Sequence, residues 1–147
     1  MANDTSSPIG KVLLGLLFAL IGIGLLVITA NLTLERREFL ARAQTADGIV
    51  SRLNAGGSHP EIAFTSASGE NISYPQGGFI FGYQPNQAVR VHYLPEQPAA
   101  SAIVDDAGAL WGTSVVLGVI GLVFSLVGLA TVLRQRGRGA VHSAKGL

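Results

Sequence analysis

The chain has 147 residues, ten Lys plus Arg against nine Asp plus Glu, a net charge of +1 and no cysteine. So small a charge offers no basic footprint for nucleic acid, and the missing thiols exclude structural disulfides, thiolate nucleophiles and Cys-ligated metals. Two uncharged apolar stretches, residues 12–34 and 107–133, occupy so much of the chain that only one modest domain remains between them.

Residues 1–11 (MANDTSSPIGK) form a short polar tail without a motif. The stretch 12–34 follows. At 1.5 Å rise per residue, roughly 20 apolar residues cross a ~30 Å hydrocarbon layer, so this stretch is expected to be a first transmembrane helix. A cleaved signal peptide fits less well, because the apolar run exceeds the usual h-region and the n-region holds only Lys11. Two buried helices of a soluble protein fit less well still, since both stretches are apolar on every side and the chain is too short to enclose them. Glu35-Arg36-Arg37-Glu38 then makes a mixed-charge collar that extends the helix past the lipid, as far as Arg42.

From here the period changes. Ala46, Gly48 and Val50 alternate with Asp47, Ile49 and Ser51, a first strand that Asn54-Ala55-Gly56-Gly57-Ser58 breaks. Glu61-Ile62-Ala63-Phe64-Thr65 and Asn71-Ile72-Ser73-Tyr74 form a hairpin across 66–70, with Gly69 available for the positive-φ position. Phe79-Ile80-Phe81, after Pro75-Gln76-Gly77-Gly78, is either a short strand or a membrane-facing loop. In AVRVHYLPEQP (88–98), Val89, Val91 and Tyr93 face one side and Arg90 and His92 the other, and Pro95 and Pro98 stop the ladder, which makes this the final strand. The expected core is Val50, Ile62, Phe64, Ile72, Tyr74, Val89, Val91 and Tyr93. Residues 35–106 thus form an extramembrane β domain that is wet on one side. Residues 107–133 form the second transmembrane helix, and 134–147 a basic tail. The fold class is membrane α+β: two transmembrane helices flanking a small antiparallel β domain of four or five short strands.

The order helix, Ala46-x-Gly48-x-Val50, hairpin with Gly69, Val89-x-Val91-x-Tyr93-x-Pro95-x-x-Pro98, helix resembles the family of "domain of unknown function 3592" over nearly the whole chain. Where that family commonly has a glycine before the last element, this chain has Asn86, which tolerates the same left-handed backbone. The resemblance implies the two-span architecture and no established activity.

No catalytic, cofactor or metal site is expected. His59, His92 and His142 share no ligand spacing, and the adjacent Asp105 and Asp106 point apart at the water boundary rather than forming an acid/base pair. Gly56-Gly57 and Gly77-Gly78 lack the context of a phosphate loop, and no serine sits in Gly-x-Ser-x-Gly. Neither span carries a charge, which argues against a channel or pump. The spans do carry small residues in register. Gly15, Ala19 and Gly22 lie within roughly 60° on the first helix, and Gly118, Gly121, Ser125 and Gly128 within roughly 80° on the second. Such faces allow close helix packing in lipid, although glycine is frequent in spans generally. Gly108-Ala109-Leu110-Trp111-Gly112 is a separate Gly-x-x-x-Gly, with Trp111 suited to the headgroup belt.

The expected function is therefore that of a non-catalytic integral membrane protein. Its partners are the lipid bilayer together with another membrane protein or a second copy, and its β domain contacts a protein or an envelope component, as in an accessory subunit of a membrane complex. The alternative is a membrane-anchored sensor with a ligand pocket lined by Phe79, Phe81 and Tyr83. Charge asymmetry sets the topology. Arg134, Arg136, Arg138 and Lys145 follow the second span and oppose Arg36, Arg37 and Arg42 after the first. The loop 35–106 exceeds the ~60 residues over which loop charges count. Both termini are thus expected in the cytoplasm of a bacterial cell, the spans in its inner membrane and the β domain outside.

Overall fold

In a computed structural model, residues 7–54 and 59–144 are described, with side chains as far as 137. Helix α1 (Pro8–Arg42) leads into β1 (Gln44–Asn54), β2 (His59–Thr65), β3 (Asn71–Pro75), β4 (Ala88–Tyr93), the single turn α2 (Pro98–Ser101), β5 (Ile103–Val104) and helix α3 (Ala107–Ala144). Residues up to Ala30 and from Val116 onward form one compact body, and Asn31–Val115 a second. The glycine-rich break at 55–58 and the extreme termini, Lys145 included, lie outside the described residues, as does the side chain of His142.

The helical body is built from the two apolar stretches, each long and apolar enough to cross a membrane. Ser7 opens α1: its hydroxyl accepts from Gly10 N–H at 3.0 Å, satisfying one of the donors a helix start leaves free. The helices touch where side chains are smallest. A Cβ at Gly22 would fall on the Ser125 backbone and side chain, and one at Gly128 on Ala19 N and Gly15 O. Gly121 lies against Gly22 and Leu25, while Gly118 faces Thr29. Phe18 and Phe124 stack alongside with ring centroids 5.1 Å apart. Leu13, Leu17, Leu20, Val119, Leu122 and Leu129 are exposed on the remaining faces.

The second body is an antiparallel five-stranded sheet in the order β3-β2-β1-β4-β5. β1 is central: Val50 pairs with Ile62 of β2, and Ala46 with Val91 of β4. Period-two alternation buries Gly48 and Val50, then Ile62 and Phe64, then Ile72, then Val91 and Tyr93, all on one face. Tyr74 and Val89 are partly buried and pack against this cluster. Gly48 has no room for a side chain, since a Cβ there would sit 2.9 Å from Ala63 O and 3.2 Å from a Val91 methyl. A register shift between Val50 and Arg52 marks a bulge, which increases strand twist. The hairpin between β2 and β3 closes through Gly69 at φ +84, with Ser66 N–H donating to Glu70 O.

One feature departs from the sequence reading. β4 is not the last strand: β5 adds outside it, pairing Val91 with Val104 and His92 with Ile103. Of the two alternatives for Phe79, Ile80 and Phe81, strand or loop, the structure takes the loop. That loop covers the inner face of the sheet, with Ile80 and Tyr83 buried in the same core as Val50 and Tyr93. Asn86 adopts φ 63, the one positive-φ non-glycine among the described residues, where an asparagine side chain is tolerated.

Polar groups close the curl of the sheet. Gln76, directly after β3, donates its backbone N–H to Pro60 O, and its side-chain oxygen accepts from Val104 N–H at 2.7 Å. One buried carboxamide thus links the chain leaving one edge strand to the other edge strand, and removing it would leave a buried N–H unpaired, a loss of about 1–3 kcal/mol. The Tyr93 hydroxyl accepts from Ala67 N–H at 2.9 Å and donates to Gln44 at 3.2 Å, tying β4 to the hairpin turn.

Candidate functional site

The inner face of the sheet is filled by its own core, which leaves the outer face open. On that outer face the alternation presents Asp47 and Ile49 from β1, Ala63 and Thr65 from β2, Asn71 and Ser73 from β3, and Ala88 from β4, around a shallow trough of about 700 Å³. The side chains at its centre are small. Ile49 stands beside them 48% exposed, a large aliphatic group in the middle of a sheet and facing water. Polar contacts fix the rim: Thr65 donates to Asn71 at 2.9 Å, and the Ser73 hydroxyl to Glu61 at 3.0 Å.

Glu61 organises one end of this surface. Its carboxylate accepts from Ser73 and from Asn54, at 3.1 Å, and pairs with Arg52 at 3.6 Å. The Ser73 and Asn54 hydrogen bonds, more than the Arg52 charge, hold its pKa below the ordinary carboxylate value. Asp47 lies opposite Arg90 in the β1–β4 register, and His92 meets Asp105 at 3.3 Å. The rim therefore carries both signs of charge in fixed positions, and the trough itself one carboxylate, Asp47.

Asp105 and Asp106 do point apart. Asp105 faces His92, whereas Asp106 accepts from Gly108 N–H at 2.7 Å and Ala109 N–H at 3.3 Å, capping the start of α3. Its other oxygen accepts the Tyr83 hydroxyl at 3.0 Å. Burial, then this bond to a carboxylate, pushes the Tyr83 phenol up to about 12. Among the described residues no His, Asp or Glu cluster has the arrangement of a metal site.

Phe79, Phe81 and Tyr83 have three different surroundings. Tyr83 is buried under the sheet, Phe79 lies on α3, and Phe81 is 77% exposed. The Gly108-x-x-x-Gly112 spacing serves Phe79 in this body: a Cβ at Gly108 would fall on the Phe79 carbonyl, and one at Gly112 would sit 2.9 Å from the Phe79 ring. On the helix side, Arg36 is half-buried over the Phe39 ring at 5.5 Å, where burial lowers its pKa from the usual arginine value.

Comparison with known proteins identifies a relative. The chain is 57% identical over 136 residues to the "Immune protein Tsi4" of Pseudomonas aeruginosa, covering 92% of this chain and 94% of that one. No family model matches the chain, and no solved structure matches it. The resemblance to "domain of unknown function 3592" is thereby overturned. The residues that carried it, alternating Val89, Val91 and Tyr93 before two prolines, are what any half-buried strand leaving a sheet requires, so they mark an element and not a lineage.

Proposed function

The chain belongs to the family of the immune protein Tsi4, and from that premise we propose that it is itself an immune protein, protecting its cell by binding a toxic protein without catalysis. The observation that carries this reading is the 57% identity along nearly the full length of both chains. A protective role of this kind requires no reacting groups, only a surface that recognises one partner tightly.

We assign that surface to the outer face of the sheet. It is the face of the sheet that its own core leaves open, and there Ile49 stands among small side chains inside a rim of paired polar groups, the order of apolar centre and polar rim found in protein interfaces. We further infer that residues 12–34 and 107–133 cross the inner membrane, with both termini cytoplasmic and the β domain outside. Two long apolar helices whose outward faces are leucine- and valine-rich support the crossing, and the arginines after the second span support the orientation. A toxin would then be intercepted at the membrane surface, before or as it reaches the bilayer.

Transfer of protection tests the function. In Pseudomonas aeruginosa cells lacking Tsi4, under the challenge that those cells fail to survive, expression of this chain is expected to restore survival to the level given by Tsi4. Survival no better than with an empty vector, at equal membrane abundance of the protein, would contradict the reading.

A further inference from the structure

The segment between β3 and β4 has one feature that the toxin-binding face does not use. Gly78 at φ +114 and Gly82 at φ +80 reverse the backbone on either side of Phe79-Ile80-Phe81, a geometry that side chains larger than glycine rarely adopt. Between these two bends the three residues divide. Ile80 is buried in the sheet core, while Phe79 and Phe81 point out, 50% and 77% exposed.

This loop is pinned to the start of α3. Phe79 N–H donates to Gly108 O at 3.3 Å, and the Phe79 ring lies over Gly112. Tyr83, just beyond Gly82, donates to Asp106, the residue that caps the helix. Phe79 and Phe81 are therefore held beside the first turns of the helix, where the apolar stretch begins and where Trp111 lies. The loop is also free of charge: no Asp, Glu, Lys, Arg or His occurs between Glu70 and Arg90.

We propose that Phe79 and Phe81 form an aromatic foot that enters the boundary between headgroups and acyl chains of the bilayer crossed by α3, fixing the β domain against the lipid surface. The inference rests on the reading of α3 as a membrane span. Its occupant is lipid because the exposed rings continue the apolar surface of that helix at its interfacial end. Apolar side chains such as phenylalanine enter the headgroup/acyl boundary from surface-lying segments, and a charge-free loop has no ionised group to desolvate there. The two positive-φ glycines and the buried Ile80 hold the foot in place without lipid, so little ordering accompanies insertion.

Depth-dependent fluorescence quenching tests this. Trp111 is the one tryptophan in the chain, so in a Trp111→Phe background single tryptophans can be placed at Phe81, at Leu122 within α3, and at Ile49 on the outer sheet face. Each full-length protein is reconstituted into phosphatidylcholine vesicles whose lipids are brominated either near the ester end or near the tail end of the chain. Phe81→Trp is expected to be quenched most by the shallow bromines, those within ~5–10 Å of the headgroup boundary. Leu122→Trp is expected to be quenched most by the deep ones, and Ile49→Trp by neither. If Leu122→Trp is quenched while Phe81→Trp behaves like Ile49→Trp, the aromatic foot is overturned and the span stands. If Leu122→Trp is not quenched, the span fails and the inference falls with it.

Discussion

Gly128→Leu is expected to separate α1 from α3. A Cβ at this position already falls on Ala19 N and Gly15 O and lies 2.9 Å from Ala19 Cα. These are backbone atoms and cannot turn aside as a flexible side chain would. Overpacking costs about 1–3 kcal/mol even where neighbours can adjust. In the proposed bilayer setting no hydrophobic drive acts between helices, and close packing of small faces is what holds them. The chain has no cysteine of its own, so a cysteine pair at Ala19 and Ser125, within the same crossing, reports on the contact by intramolecular crosslinking. The parent pair is expected to crosslink and the Gly128→Leu variant to lose the bond, while Leu129→Ala, at an exposed neighbouring position, retains it. Equal crosslinking in all three would mean that the small faces do not hold the helices.

Val91→Asp is expected to unfold the β domain. Val91 has no exposed surface, packs against Gly48, and pairs with Ala46 on one side and Val104 on the other. A carboxylate there has no cation within the core to meet, and an uncompensated buried charge costs several kcal/mol, a large part of the 5–15 kcal/mol that holds a typical domain. Arg90→Ser, one residue away on the wet face, is expected to stay within about 0.5 kcal/mol of the parent. Limited proteolysis of the detergent-solubilised proteins separates the two: rapid cleavage within 44–104 for Val91→Asp, and a parent-like pattern for Arg90→Ser. Equal sensitivity of the two variants would place residue 91 outside the core.

The broad layout was legible because it rests on strong periodicities. Long uncharged runs announce the two apolar helices, and alternation with a glycine turn announces an antiparallel sheet between them. Elements without a period were not legible. β5 has two residues and α2 four, too few to show a repeat, and both follow prolines that read as a stop. Gln76 gives no sign in the sequence that its carboxamide joins the sheet edges. The Gly108-x-x-x-Gly112 spacing suggests a helix contact, yet here it admits a phenylalanine from a loop more than 28 residues earlier. The candidate surface was visible only as the polar half of each strand. Ile49 occupied an outward register position, but alternation alone does not distinguish an exposed isoleucine that serves a partner from one that merely faces water. The proposed role rests on similarity over 136 residues, because a binding surface has no fixed residue pattern of the kind that catalysis imposes.

The central claim, that the outer face of the sheet binds a toxic protein, is tested most directly by measuring binding of the toxic protein proposed as its partner to the full-length chain in lipid nanodiscs, with and without Ile49→Arg. Ile49 is half-exposed, so the substitution leaves the core untouched, and circular dichroism is expected to be unchanged. The account predicts that the parent binds and that Ile49→Arg weakens binding by about tenfold or more, equivalent to ~1.4 kcal/mol at the centre of the interface. Toxin binding equally tight to both proteins, or absent from the parent, would contradict it.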